Sequence, residues 1–359
     1  MVKRYSMLLF PWRWLYSMIM QVRNFLYDRG IQKTYTFDIV VIGVGNLSVG
    51  GTGKTPCIEY LVRLLKDRLH IAVLSRGYKR TTQGFRVANM HDTALTIGDE
   101  PFQLYSKFAV SDRVEIIVAE DRVQGINKLL DIAPGTEVIL LDDGFQHRSV
   151  KPTLNILLTD FHRPFFADYV LPTGRLREPR QAAHRADVVV VTKCLDPMPQ
   201  AMRQYFQYRI RKYLRKQTPP PIFFTRIRYG SPTPVCKEQS KPFARHILLV
   251  TGIADPNPLV RYAAQRYQLI RHMAFKDHHT FTIRDIRKIL LAFDRMEYEE
   301  KCLLTTEKDS ARLLQAPWQA MLQYIPIFYL PIAMEFVEGE GVVFNQLILD
   351  TIQQYESLL

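Results

Sequence analysis

Three features of the sequence predict an α/β protein: a parallel sheet flanked by helices, with a smaller α/β domain at its C-terminal end. The first is the glycine-rich stretch Asn46-Leu-Ser-Val-Gly-Gly-Thr-Gly-Lys-Thr-Pro56, set between an apolar run and a helical pattern. The second is an apolar strand, Val138 to Leu141, that runs directly into Asp142 and Asp143. The third is the alternation of short apolar runs with amphipathic segments through most of the chain, the pattern of strand–helix–strand units. A glycine-rich turn after one strand and acidic residues at the tip of another make this the sheet of a P-loop NTPase.

Residues 1–30 form the first element. Arg13, Ser17, Gln21, Asn24 and Asp28 draw a polar stripe down a helix whose other positions are largely aromatic or aliphatic. Arg13, Gln21 and Arg23 interrupt the apolar run, which excludes a membrane-spanning helix, and no small-residue cleavage site follows, which excludes a signal peptide. Tryptophan, tyrosine and arginine together favour an amphipathic helix lying in a membrane interface.

Phe37 to Val44 is a buried strand, and Ile58 to Leu69 carries apolar residues at helical spacing. Between them, Ser48, Val49, Gly50, Gly51, Thr52, Gly53, Lys54 and Thr55 form a phosphate cradle of backbone N–H groups at a helix start. Lys54 reaches the outer phosphates and the Thr55 hydroxyl is placed to ligate Mg²⁺. The strict loop pattern begins with glycine; this chain has Ser48 there.

Ile71 to Leu74 is the next strand, and residues 79–98 read as an insertion over the nucleotide site. Gly98-Asp99-Glu100-Pro101 opens a helix, Glu115 to Ala119 is a strand, and Asp121-Arg122 heads another helix. The strand ending at Asp142-Asp143-Gly-Phe-Gln-His147 supplies carboxylates for Mg²⁺. Leu154 to Thr159 and Val188 to Thr192 are two more buried strands, separated by the polar loop Leu171 to Pro179. Thr192-Lys193-Cys194-Leu195-Asp196 lacks the Asn-Lys-x-Asp signature for guanine, so the nucleotide is ATP. Residues 197–216 read as a basic helix, and Pro219 to Pro221 mark the end of a nucleotide-binding domain over 31–220.

Residues 221–244 read as a connecting segment and 245–359 as the smaller α/β domain. Its strands are expected at His246 to Gly252, Leu269 to Phe275, Cys302 to Thr306 and Ile325 to Phe328. Its helices are expected at Pro258 to Tyr267, Ile283 to Phe293 and Val343 to Tyr355. Asp277-His278-His279-Thr280-Phe281 follows a strand directly, where sheets of this class place functional loops.

Composition limits the remaining choices. With 47% hydrophobic and 23% charged residues the chain is globular, and its net charge of +13 points to an acidic or phosphorylated partner. Cys57, Cys194, Cys236 and Cys302 lack metal-ligand spacing. Nucleic acid is not an expected partner, because no helix-turn-helix, RNA-binding or zinc pattern accompanies the charge.

Taken together, the loop at 46–56, Gly98 to Pro101, Asp142 to His147, Leu171-Pro-Thr-Gly-Arg-Leu-Arg-Glu-Pro179, Asp277 to Phe281 and Thr306-Glu-Lys-Asp309 resemble segments of the tetraacyldisaccharide 4'-kinases, in the same order. That family also has an aromatic-rich N-terminal helix. The resemblance implies transfer of the ATP γ-phosphate to the 4'-hydroxyl of tetraacyldisaccharide 1-phosphate, a lipid, at the cytoplasmic face of a bacterial inner membrane. It implies Lys54 on the phosphates, Thr55, Asp142, Asp143 and Glu178 around Mg²⁺, and Asp99 as the base, partnered by His278 or its neighbour His279. The alternative on the same fold is a membrane-peripheral P-loop ATPase, a switch or partition-type protein with a protein partner.

Overall fold

The computed structural model describes residues 9–214, 219–236, 241–277, 279–313 and 318–357. The first sheet has nine strands, and its centre places the phosphate loop. Strand β1 (Val40–Asn46) lies between β5 (Val138–Asp142) and β6 (Leu154–Asp160), parallel to both. On the β5 side the sheet continues through β2 (Ile71–Ser75), β4 (Val114–Val118) and the short β3 (Arg86–Val87). On the β6 side follow β7 (Val188–Thr192), β8 (Ile222–Tyr229) and β14 (Ile332–Phe336). Only the two edge strands, β3 and β14, run antiparallel to their neighbours.

Both faces of this sheet are covered, which is why its strands read as unbroken apolar runs. Val40, Ile42 and Val44 pack with Cys57, Ile58 and Leu61 of helix α2 (Lys54–Leu65), whereas Ile39 and Val41 pack with Ile126 and Leu129 of α5 (Arg122–Ile132). The side chains of β1 thus alternate between two helical layers, as the two-residue period of a strand requires. Residues 79–98, expected as an insertion, contribute β3 and the short helix α3 (Ala94–Ile97), which leads into α4 (Asp99–Phe108).

The second sheet has five strands in the order β11-β10-β12-β13-β9. These are β9 (Thr233–Pro234), β10 (His246–Thr251), β11 (Gln268–Ala274), β12 (Lys301–Thr306) and β13 (Ile327–Leu330). Helix α7 (Asn257–Arg266) covers one face through Leu259 and Ala263, and α8 (Ile283–Asp294) covers the other through Ile286 and Ile289.

Two expectations about domain limits change here. The segment 222–229, read as connecting structure, is a full strand of the first sheet, paired with β7 and β14. The last helix, α11 (Glu340–Glu356), read as part of the second domain, returns to the first: Phe344, Ile348 and Ile352 join its core cluster, with the Phe344 ring against Tyr60 of α2 and Phe223 of β8. The smaller lobe is therefore an insertion between β8 and β14. Its two connections meet where the Gly230 N–H donates to the Pro331 carbonyl at 2.8 Å. The basic helix forms as α6 (Gln200–Arg211), and Arg215 and Lys216 lie outside the described residues.

Candidate active site

The parallel register of β1 and β5 pairs Val44 with Asp142, so the acidic strand tip sits beside the strand that feeds the loop. The loop turns through left-handed backbone at Gly50 and Gly53, with φ of +108° and +87°, where a side chain would be strained. Within it the Asn46 amide donates to the Thr52 hydroxyl at 2.6 Å, and the Thr192 hydroxyl donates to the Thr52 carbonyl at 2.8 Å. The Val49 N–H donates to the Arg175 carbonyl at 2.8 Å, which ties the opening of the loop to the polar segment 171–179. Lys193 reaches the outer side of the loop, donating to the Gly51 carbonyl and, at 2.7 Å, to Asp160.

Asp143 is the junction. Its backbone is left-handed, with φ of +54°, an unusual conformation for a residue with a side chain. Both of its oxygens accept from the Arg177 guanidinium at 2.9 Å, and Lys54 lies 3.4 Å away. Burial would raise its pKa, but Lys54 and Arg177 outweigh that and hold the carboxyl well below the ordinary carboxylate range. Arg177 also donates to the Asn46 side chain at 2.6 Å, closing a ring from loop to strand tip to segment 171–179.

Asp142 differs from its neighbour. It is buried, Ser75 donates to its Oδ2 at 3.3 Å, and its Oδ1 has no hydrogen-bond partner among the described residues. Burial pushes its pKa up to about 6, against the pull of the Lys54 ammonium. A buried carboxylate oxygen without a donor, at a strand tip beside Lys54, fits a divalent cation carried in with nucleotide phosphates. Thr55 stands in the first turn of α2, next to Lys54.

Glu178 is placed elsewhere. It is fully buried, with Oε2 accepting from Arg185 and Asn24 at 2.9 Å each and Oε1 accepting from Arg185 at 3.0 Å. Burial opposes its charge, but Arg185 and then Asn24 hold its pKa below the ordinary value. The expected metal ligand is thus engaged by a guanidinium and an amide, and it joins segment 171–179 to the N-terminal helix α1 (Phe10–Asp28). The Tyr16 hydroxyl reinforces the same junction, donating to the Arg177 carbonyl at 2.9 Å.

Asp99, at the start of α4, faces helix α9 (Glu307–Leu313) of the smaller lobe and is held by Arg312. The neighbouring Glu100 accepts from Lys308. His278, the expected partner of Asp99, lies outside the described residues. His279 has a local role: its Nε2 is 3.0 Å from Asp285, in the capping box of α8, and its ring stacks on Phe275.

Arg177, Arg312 and Arg122 were not singled out as site residues from the sequence. Arg177 is adjacent to Glu178 in a segment that was recognised, so only its role was missed. Arg312 is six residues beyond Thr306, with no motif of its own. Arg122 is fully buried, and its Nε and Nη2 have no partner among the described residues. Burial lowers its pKa to about 10, against the opposing charges of Asp142 and Asp143.

The tetraacyldisaccharide-1-P 4'-kinase family model matches residues 5–353 of the chain. A protein of Bacteroides thetaiotaomicron named tetraacyldisaccharide 4'-kinase is 42% identical over 360 residues, covering 96% of this chain and 93% of its own length. Its namesake from Phocaeicola vulgatus is 43% identical, covering 96% of this chain and 95% of its own length. Among solved structures, an "apo" form of LpxK from Aquifex aeolicus in complex with ATP superposes with a TM-score of 0.72 at 30% identity. That match covers 97% of this chain and 99% of the other.

The contrast between the two aspartates gives a test of the site's electrostatics. The folded pKa of Asp142, about 6, lies above its ordinary value of 3.8. The folded protein therefore loses stability as pH rises between those values, and the penalty is complete above them. Its size is on the order of 2–3 kcal/mol. With divalent cations chelated, Asp142→Asn should melt higher than wild type, by a wider margin at pH 7.5 than at pH 5. Thermal denaturation at the two pH values reads this directly; an absent or reversed margin would assign the penalty to another group.

Proposed function

The chain belongs to the tetraacyldisaccharide-1-P 4'-kinase family, and from that premise we propose that its first lobe binds Mg²⁺·ATP while the side facing the second lobe, where Asp99 lies, receives the lipid acceptor. The reaction transfers the γ-phosphoryl group of ATP to the 4'-hydroxyl of tetraacyldisaccharide 1-phosphate, a step of lipid A biosynthesis. The observation that carries the residue assignments is the ring Lys54–Asp143–Arg177–Asn46 around the phosphate loop.

Phosphoryl transfer needs positioning and charge neutralisation more than covalent chemistry. The loop N–H groups among residues 48–55 that the fold does not use receive the phosphates; those of Val49 and Thr52 already donate to the Arg175 and Gly50 carbonyls. At 3.4 Å from Asp143, Lys54 is held more loosely than Arg177 at 2.9 Å, so it is the cation free to move to the outer phosphates. Thr55 and Asp142 would hold Mg²⁺, whose charge offsets that of the β- and γ-phosphates. Asp143 supports this set by fixing Arg177 and Lys54, and Glu178 is reassigned from the metal to the junction with α1.

Asp99 is the group we assign to the acceptor hydroxyl. It accepts the hydroxyl proton as the new oxygen–phosphorus bond forms and the bridging bond to ADP breaks, which balances the transfer.

The lipid explains the N-terminal helix. Its polar side turns inward: Asn24 bonds Glu178, Arg23 donates to the Gln146 carbonyl at 2.6 Å, and Arg148 pairs with Asp28. Trp12, Trp14, Ile19, Val22 and Phe25 are left exposed on the other side, each more than half accessible. Among the described residues no helix is long and apolar enough to cross a membrane. We place this outward apolar face in the membrane interface, on the cytoplasmic side of the inner membrane, where ATP is available. An open cavity of about 370 Å³ lined by Trp12, Leu15, Tyr16, Ile19 and Pro172 suits an acyl chain of the substrate.

Two outcomes test these assignments. Lys54→Ala should lower kcat by at least about 100-fold in protein that still melts cooperatively, because the ammonium neutralises charge on the transferred group. Near-normal turnover would move the phosphate site elsewhere. Placing Asp at both Leu15 and Ile19 should release the protein from vesicles of inner-membrane lipids and raise KM for the lipid, with KM for ATP unchanged. Undiminished co-sedimentation would mean that this face does not contact the bilayer.

A further inference from the structure

The side chain that holds Asp99 comes from the opposite lobe. Arg312 is 5% exposed, and it approaches Asp99 at two points, Nε to Oδ1 at 3.2 Å and Nη2 to Oδ2. Its remaining nitrogen faces away, donating from Nη1 to Oδ1 of Asp309 at 3.0 Å and to the Gly252 carbonyl at 3.4 Å. Asp309 is fully buried and is itself fixed: its Oδ2 accepts from the Gly252 N–H at 2.8 Å and from the Thr306 hydroxyl at 2.6 Å. The space is closed as well, since a Cβ on Gly252 would lie 3.0 Å from Asp309 Oδ1.

A two-point guanidinium–carboxylate contact fixes the plane of the carboxylate, which a single ammonium contact does not. Here the guanidinium is anchored on its far side to the ends of β10 and β12, so the orientation of Asp99 follows the position of the smaller lobe. Among the described residues, Lys308 with Glu100 and Lys107 with Glu307 also tie the lobes together across this seam. Burial opposes the charge of Arg312, and its contact with Asp99 outweighs that, raising its pKa.

We propose that Arg312 is a positioning residue for the transfer, setting the orientation of the Asp99 carboxylate from the smaller lobe. The inference rests on the reading of Asp99 as the group that takes the acceptor's proton. It predicts that Arg312 acts on kcat and leaves nucleotide binding alone, because the loop around Lys54 is in the other lobe.

The experiment uses the full-length protein in detergent with Mg²⁺·ATP and tetraacyldisaccharide 1-phosphate, comparing wild type, Arg312→Lys, Arg312→Gln, Asp99→Ala and the double variant Asp99→Ala/Arg312→Gln. Asp99→Ala should lower kcat by roughly 10²–10⁴-fold. Arg312→Gln should lower it by about 100-fold, and Arg312→Lys, which keeps charge but loses the two-point hold, by about tenfold, with KM for ATP within about twofold throughout. The double variant should be no more than about threefold slower than Asp99→Ala, as for groups acting as one unit. The inference is overturned if either Arg312 variant keeps near-wild-type kcat per folded molecule, or if its loss multiplies with that of Asp99→Ala. Should Arg312→Gln fail to fold, as removal of a buried cation can cause, Arg312→Lys decides alone: unimpaired kcat there contradicts the positioning role. If Asp99→Ala itself retains kcat, it is the reading of Asp99 as base that fails, whatever the Arg312 variants do.

Discussion

The nucleotide lobe depends on the carboxylate of Asp143. It carries the tip of β5, takes both nitrogens of Arg177 and faces Lys54, so three segments far apart in sequence meet at one anion. The backbone beneath it is left-handed, a conformation that costs on the order of 1 kcal/mol for a residue with a side chain, and the double contact to Arg177 more than offsets it. From Arg177 the same constraint reaches outward. The Tyr16 hydroxyl holds the Arg177 carbonyl, and Asn24 holds Glu178, so the helix bearing the exposed tryptophans is registered on that ring.

The second constraint is topological. Because the smaller lobe is inserted between β8 and β14, two short connections join it to the sheet, and they are cross-linked at Gly230 and Pro331. Across the seam between the lobes lie Asp99 and Glu100 on one side and Lys308, Asp309 and Arg312 on the other.

Much of this architecture was legible in the sequence where local chemistry dictates it. The loop at 46–56 announces itself by glycine, lysine and threonine at fixed spacing, and the β5 tip by an apolar run ending in two acids. The opposite surroundings of Asp142 and Asp143 were not legible, since they depend on Arg177 and on burial. Glu178 shows the same limit: the resemblance implies a metal ligand there, and its contacts with Arg185 and Asn24 are long-range pairings that the sequence does not display. The domain limit near residue 220 followed three prolines, but β8 continues the sheet past them. Nothing in residues 332–356 signals a return to the first lobe; only the fit of Phe344 and its neighbours into the core reveals it. Arg312 was invisible because long-range pairing has no period.

ATP bound at the loop around Lys54 is, we propose, consumed in phosphorylating a lipid hydroxyl. The most direct measurement follows both products at once when the purified protein is mixed with Mg²⁺, γ-labelled ATP and tetraacyldisaccharide 1-phosphate in detergent micelles. The structure predicts one labelled bisphosphorylated lipid for each ADP formed, and negligible ADP without the acceptor. ADP released without labelled lipid, at a rate indifferent to the disaccharide, would mark the molecule as an ATPase instead.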